Sequence, residues 1–176
     1  MKGKAMRGYV QLYTGDGKGK TTAAIGLAVR AAGAGLRVFF GQFMKSGPYN
    51  EITSLQKLAP QIDVRQFGRE EFVTGKASLQ DITMAREGLH AAREAMTGGA
   101  YDLVILDEAL VANFFHLFEA EDLLELIARK PETVELVLTG RRADPRLVDA
   151  ADLVTEMRLV KHYYDQGVAA RNGIED

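Results

Sequence analysis

Short apolar runs alternate with segments in which apolar residues recur at helical spacing. The runs at 9–13, 36–43, 62–67, 101–108, 133–139 and 153–160 read as strands. The second of these is apolar on both faces, as a buried parallel strand should be. Between them the pattern predicts helices over 19–32, over a short stretch limited by Pro60, over 78–96, over a stretch from 119 limited by Pro131, and over 145–150. Ser78-Leu79-Gln80-Asp81 has the form of a capping box, and Leu79, Ile82, Leu89, Ala92 and Met96 form the stripe of the longest helix. Residues 68–76 show no period. The strand–helix alternation predicts an α/β domain: a mainly parallel sheet of about six strands with helices on both faces. Right-handed crossovers then gather the loops after the strands at one sheet edge.

Composition bounds the class. One chain of 176 residues can bury a single sizeable core, so 1–176 is expected to be one domain. Residues 1–7 are expected to be flexible, and the mixed tail at 161–176 to close over the site. A net charge of −2 supplies no electrostatic case for nucleic-acid binding. The absence of cysteine excludes disulfides, thiolate metal sites and thiol catalysis, and fits a cytoplasmic location. The basic start has no apolar core after it, so it does not read as a signal peptide, and no apolar run approaches the roughly 20 residues a membrane span needs.

The first strand runs into Thr14-Gly15-Asp16-Gly17-Lys18-Gly19-Lys20-Thr21-Thr22, and an alanine-rich helix follows. Strand, glycine turn and helix start make a phosphate-binding loop. Glycines let successive N–H groups turn inward, and the helix adds its positive end. Lys20 supplies a cation, and the Thr21 hydroxyl suits Mg2+. The spacing G-x-x-x-x-G-K-[ST] would place glycine at Thr14, so this loop is one residue short. The bland alternative is a glycine turn with no ligand. The fold class expected is thus a P-loop NTPase domain of the RecA-like kind.

Two further stretches bear chemistry. The run 103–106 ends in Asp107-Glu108, a carboxylate pair able to hold a metal or orient water, or simply a solvated strand end. Thr139-Gly140-Arg141-Arg142 places an arginine at another strand end, able to fork onto phosphate or to remain a surface pair. Phe39, Phe40, Phe43 and Phe67 read as core. Phe72 lies in the aperiodic stretch and either covers an apolar ligand or anchors its loop. His90, His116 and His162 lack metal-ligand spacing.

These stretches together resemble the P-loop type of ATP:corrinoid adenosyltransferase. The C-terminal series is the most specific part of the resemblance. It runs 151–157 (ADLVTEM), Val160-Lys161-His162, Gly167-Val168-Ala169-Ala170 and Gly173-Ile174-Glu175. The short loop is also similar to that family's spacing. The resemblance implies that the Co(I) of a reduced corrinoid attacks C5′ of ATP and expels triphosphate, with ATP reversed relative to ordinary P-loop enzymes. It implies Thr21 and Glu108 as contacts of Mg2+ (or Mn2+), with Asp107 beside them. Lys20 and the loop amides would stabilise triphosphate, and Arg141 would touch phosphate. Phe72 matches an aromatic position that helps displace the lower axial ligand of cobalt. The family's second aromatic is missing, with Thr74 in its place, and Tyr163-Tyr164 departs from its usual pattern. A homodimer and a flavoprotein reductase partner are also implied.

Three other readings stay open at this point. An ordinary P-loop ATPase or switch protein fits Asp107-Glu108 well. A nucleoside kinase of related fold is disfavoured by the lack of cysteine. A corrinoid or nucleotide sensor would bind without turnover.

Overall fold

The computed structural model describes residues 7–70, 75 and 77–175. Its elements in chain order are β1 (Val10–Thr14), α1 (Lys20–Gly33), β2 (Val38–Phe43), α2 (Asn50–Gln56), β3 (Ile62–Phe67), α3 (Leu79–Thr97), β4 (Leu103–Asp107), α4 (Ala109–Phe114), α5 (Ala120–Ala128), β5 (Glu135–Thr139), α6 (Pro145–Ala150) and β6 (Leu153–Glu156). A single 3-10 turn, Tyr163–Gln166, follows. The strands form one sheet in the order β3-β2-β4-β5-β1-β6, and every neighbouring pair is parallel. The α/β architecture expected from the pattern is the one present, and it is consistent with a P-loop NTPase-like fold.

Period-two alternation sends each strand's side chains to two different cores. Phe39, Phe43, Val104, Leu106, Leu136 and Leu138 pack on one face with α3, α4, α5 and α6. Val38, Phe40, Leu103, Ile105 and Val137 pack on the other, against Ala24, Ala28 and Ala31 of α1 and Leu55 of α2. Spacings of four and three bring those alanines to one helix face. Their small side chains let α1 lie close to the sheet, which brings its first turn near the end of β4. On the other face, a Cβ on Gly88 of α3 would lie 2.7 Å from the Phe43 ring. That helix therefore approaches β2 closely as well.

Three expectations are corrected. The sixth strand ends at Glu156 rather than 160. The Met157 N–H donates to Thr14 O and its carbonyl accepts from Gly17 N, which turns the chain toward the glycine loop. The fourth strand ends at Asp107, and the unforeseen α4 begins just beyond Glu108. Leu79 is 83% exposed, because as the first residue of α3 it precedes the turn that meets the sheet. Leu89, Ala92 and Met96 of the expected stripe are buried, Ile82 is partly buried against the same core, and Ala85 joins them. The capping box at Ser78 and Asp81 is formed by both of its bonds. Among the described residues, no helix is long and apolar enough to cross a membrane.

Candidate functional site

The glycine loop joins β1 to α1. Gly15 has φ 96°, a left-handed backbone that glycine adopts without a Cβ penalty. A Cβ there would stand 2.5 Å from the Met157 carbonyl oxygen, and one on Gly17 2.7 Å from the same atom. Those two glycines thus admit the strap that continues β6. Gly17 N–H is spent on Met157 O at 2.7 Å. No side chain caps α1. Its first turn therefore keeps the unpaired amides and positive dipole end that attract an anion.

Lys20 curls back over its own loop. Its ammonium donates to the carbonyls of Gly15 (2.6 Å) and Gly17 (2.8 Å), and the residue is buried. Burial, then the charge of Arg141, lowers its pKa, against the pull of Glu108, Asp16 and Asp107. An anion entering the cavity would meet a cation held, among the described residues, by two carbonyl dipoles.

Asp107 ends β4, and its carboxylate is fully buried. Oδ1 accepts from Thr21 Oγ1 (2.8 Å) and Thr139 Oγ1 (2.6 Å), and Oδ2 accepts from Gln42 Nε2 (3.2 Å). Thr139 ends β5, the neighbour of β4 in the sheet, and so adds a second hydroxyl beside the α1–β4 contact that Thr21 and Asp107 make. Thr139 Oγ1 also accepts from Glu108 N (3.0 Å). Glu108 sits at φ 59°, a conformation that costs a non-glycine residue about 1–2 kcal/mol. The turn brings Glu108 to the cavity wall. Burial first, then the Asp107 charge, raises its pKa, with Lys45, Lys20 and Arg141 opposing.

The cavity measures 810 Å³, within the range of small-molecule and cofactor sites. Residues 16–22 form one wall. Lys45, Asn50, Glu51 and Ser54 form another, and Glu108 and Arg141 enter from their strand ends. His162, Gly173, Ile174 and Glu175 reach it from the C-terminal segment. Lys18 Nζ donates to Ile174 O (2.8 Å) and Glu175 Oε1 (2.9 Å). Tyr163 Oη donates to the same carboxylate, and Arg171 pairs with it at 3.1 Å. His162 Nδ1 accepts from Tyr164 N at 3.0 Å, which leaves Nε2 as the protonated ring nitrogen when the imidazole is neutral. Lys18, Lys20, Lys45 and Arg141 thus face Asp16, Glu51, Glu108 and Glu175 around one space. The arrangement suits a polyanion accompanied by a cation.

The sequence-derived residues divide in three. Asp16, Gly17, Lys18, Gly19, Lys20, Thr21, Thr22, Glu108 and Arg141 line the cavity. Thr14 and Gly15 lie behind it against Met157, and Asp107 lies behind Thr21. Phe72 and Thr74 lie outside the described residues. Sequence reasoning missed Lys45, Asn50, Ser54 and Gln42. Gln42 carried a usable signal, as the one polar side chain in the run VFFGQF. Lys45 and Asn50 did not, since polar loops after strands are common.

The family described as ATP:corrinoid adenosyltransferase BtuR/CobO/CobP matches residues 6–175. A corrinoid adenosyltransferase of Escherichia coli K12 is 33% identical over 96% of this chain and 86% of its own length. One from Pseudomonas aeruginosa is 32% identical over 96% of this chain and 84% of its own. An uncharacterized protein of Nostoc is 33% identical over 94% of this chain, which spans 47% of that protein.

Proposed function

The chain belongs to the ATP:corrinoid adenosyltransferase family, and on that premise we propose that it transfers the 5′-deoxyadenosyl group of ATP to the Co(I) of a reduced corrinoid. The cobalt–carbon bond forms as the bond from C5′ to the triphosphate oxygen breaks, and the electron pair leaves with triphosphate. The observation that carries the proposal is the placement of Lys20, Thr21, Glu108 and Arg141 around one cavity. A leaving triphosphate needs that concentration of cations and uncapped helix amides.

The residues divide the work. Lys20 exchanges its loop carbonyls for phosphate oxygens, and Arg141 forks onto others. Asp107 accepts the Thr21 hydrogen bond, so Thr21 Oγ1 keeps its lone pairs for a ligand. Thr21 and Glu108, with Asp107 behind them, fit a hard divalent cation such as Mg2+ or Mn2+. Among the described residues, no group of three or more His, Asp or Glu forms a metal cage. A cation held chiefly by phosphate oxygens and water needs none. When bound, it would neutralise charge on the triphosphate. Fixing C5′ in line with cobalt is worth about 7–11 kcal/mol in favourable cases, and the C-terminal segment over the cavity supports such positioning. A homodimer, a flavoprotein reductase as electron donor and a cytoplasmic setting complete the proposal.

Product analysis tests it. The protein is incubated with ATP, Mg2+ and chemically reduced corrinoid. Adenosylated corrinoid with triphosphate is the expected outcome. ADP and phosphate without adenosylcorrinoid would replace this reading with that of an ordinary ATPase.

A further inference from the structure

A row of polar side chains crosses the sheet where the strands end. Gln42 pairs in register with Asp107 on one side and with Gln66 on the other. Register partners on adjacent parallel strands point to the same face. That face is the one α1 covers, since Gln42 follows the parity of Val38 and Phe40. The row is hydrogen-bonded throughout. Gly47 N donates to Gln66 Oε1 (3.3 Å), Gln66 Nε2 to Gln42 Oε1 (3.0 Å), and Gln42 Nε2 to Asp107 Oδ2 (3.2 Å). Thr21 and Thr139 donate to the other oxygen of the same carboxylate.

Every donor in this chain points toward Asp107. Reversing either amide would set donor against donor, so the carboxylate, which accepts from three side chains, fixes the direction of the whole row. Gln42 is fully buried, and an amide in that place without partners would cost about 1–3 kcal/mol. An apolar side chain would seal this core with no such requirement. The two ends of the row are the informative part. One end is Thr21, in the first turn of α1. The other is Gly47, in the loop that brings Lys45 to the opposite wall of the cavity.

We propose that Gln42 and Gln66 are positioning residues that hold the glycine loop and the Lys45 loop at a fixed separation across the cavity, and so set the width of the triphosphate cradle. This rests on the proposed use of the cavity for ATP. Neither glutamine touches a reacting atom. Their effect is expected on nucleotide affinity.

The test uses Gln66→Met, Gln42→Leu and the double variant. Q66M is expected to raise the KM for ATP roughly tenfold, the value of a hydrogen bond linked to a charge. The KM for corrinoid should stay within about twofold and kcat within about threefold, since the lost interaction is uniform in ground and transition states. The double variant should be no worse than Q42L, because Q42L already cuts the row. A merely structural role would lower the melting temperature and the active fraction and leave both KM values alone. An unchanged KM for ATP in Q66M, or losses that multiply in the double variant, would overturn the proposal. Should Q42L fail to fold, Q66M decides alone. If the wild-type protein forms no adenosylcorrinoid, the functional reading fails separately. Calorimetry with inorganic tripolyphosphate then tests the row: roughly tenfold weaker binding by Q66M supports it, and equal binding refutes it.

Discussion

Lys20 and Glu108 are charged side chains drawn into a partly closed space, and their environments push them in opposite functional directions. Among the described residues Lys20 donates to two carbonyls, so its charge is available to an anion. Lys20→Ala is expected to lower adenosyl transfer about a hundredfold or more, the scale of removing one donor from a developing charge. Formation of adenosylcorrinoid, followed spectroscopically, checks it. Glu108 shows the opposite bargain. Its pKa is raised by burial and by Asp107, so the folded chain holds that proton more tightly than the unfolded one. Stability from this group is present at low pH and declines as pH rises through the folded value. Glu108→Gln should therefore raise the melting temperature at pH 7. It should also reduce adenosyl transfer about tenfold or more, since the carboxylate is lost. A stabilised variant with undiminished turnover would remove Glu108 from the site. The charged residues of both motifs could be picked out from sequence because glycine spacing and strand-end acids are local signals. The left-handed Glu108 backbone could not be, as it arises where β4 turns into the unforeseen α4.

Among elements, the junction between β3 and α3 is held by one charged fork and a capping box. Arg69 forks onto Asp81 at 2.7 and 3.1 Å, and Asp81 also accepts from the Ser78 amide and hydroxyl. These bonds tie the two ends of the stretch that contains Phe72. The Arg69 fork above all holds the Asp81 carboxyl down to about 2, with Ser78 helping and burial opposing. An ordinary aspartate titrates near 3.9, so the group contributes about 2 kcal/mol at neutral pH. That contribution is complete above about pH 4 and is lost as pH falls toward about 2. Asp81→Asn should cost about 2 kcal/mol at pH 7 and progressively less below about pH 4, as urea unfolding at several pH values will show. The capping box was legible because its residues are three apart. The Arg69 fork was not, since twelve positions separate the partners and nothing local links them.

At the scale of the whole molecule, the site closes between residues near opposite ends of the chain. Lys18 meets Glu175, and Tyr163 and Arg171 share that carboxylate. Glu175→Ala is expected to loosen this closure and raise the KM for ATP about threefold or more, with a melting temperature close to wild type because its cationic partners Lys18 and Arg171 are exposed. Steady-state titration of ATP checks it, and an unchanged KM would make the contact incidental. A second long-range contact joins α1 to the sheet. Thr21 lies in the first turn of α1 and Asp107 ends β4, so their bond exists only once α1 has packed on the assembled sheet. The amino-acid order by itself determined the strand and helix periods, the glycine loop, the acidic strand end and the parallel sheet. Each of these depends on neighbours within a few residues or on a general rule of chain crossover. Only the tertiary structure decided that Gly15 and Gly17 make room for Met157, that Lys45 shares the cavity, and that Gln66, Gln42 and Asp107 form one row. Those depend on which strands lie side by side and how closely they approach. Periodicity along one strand carries no information about its neighbours.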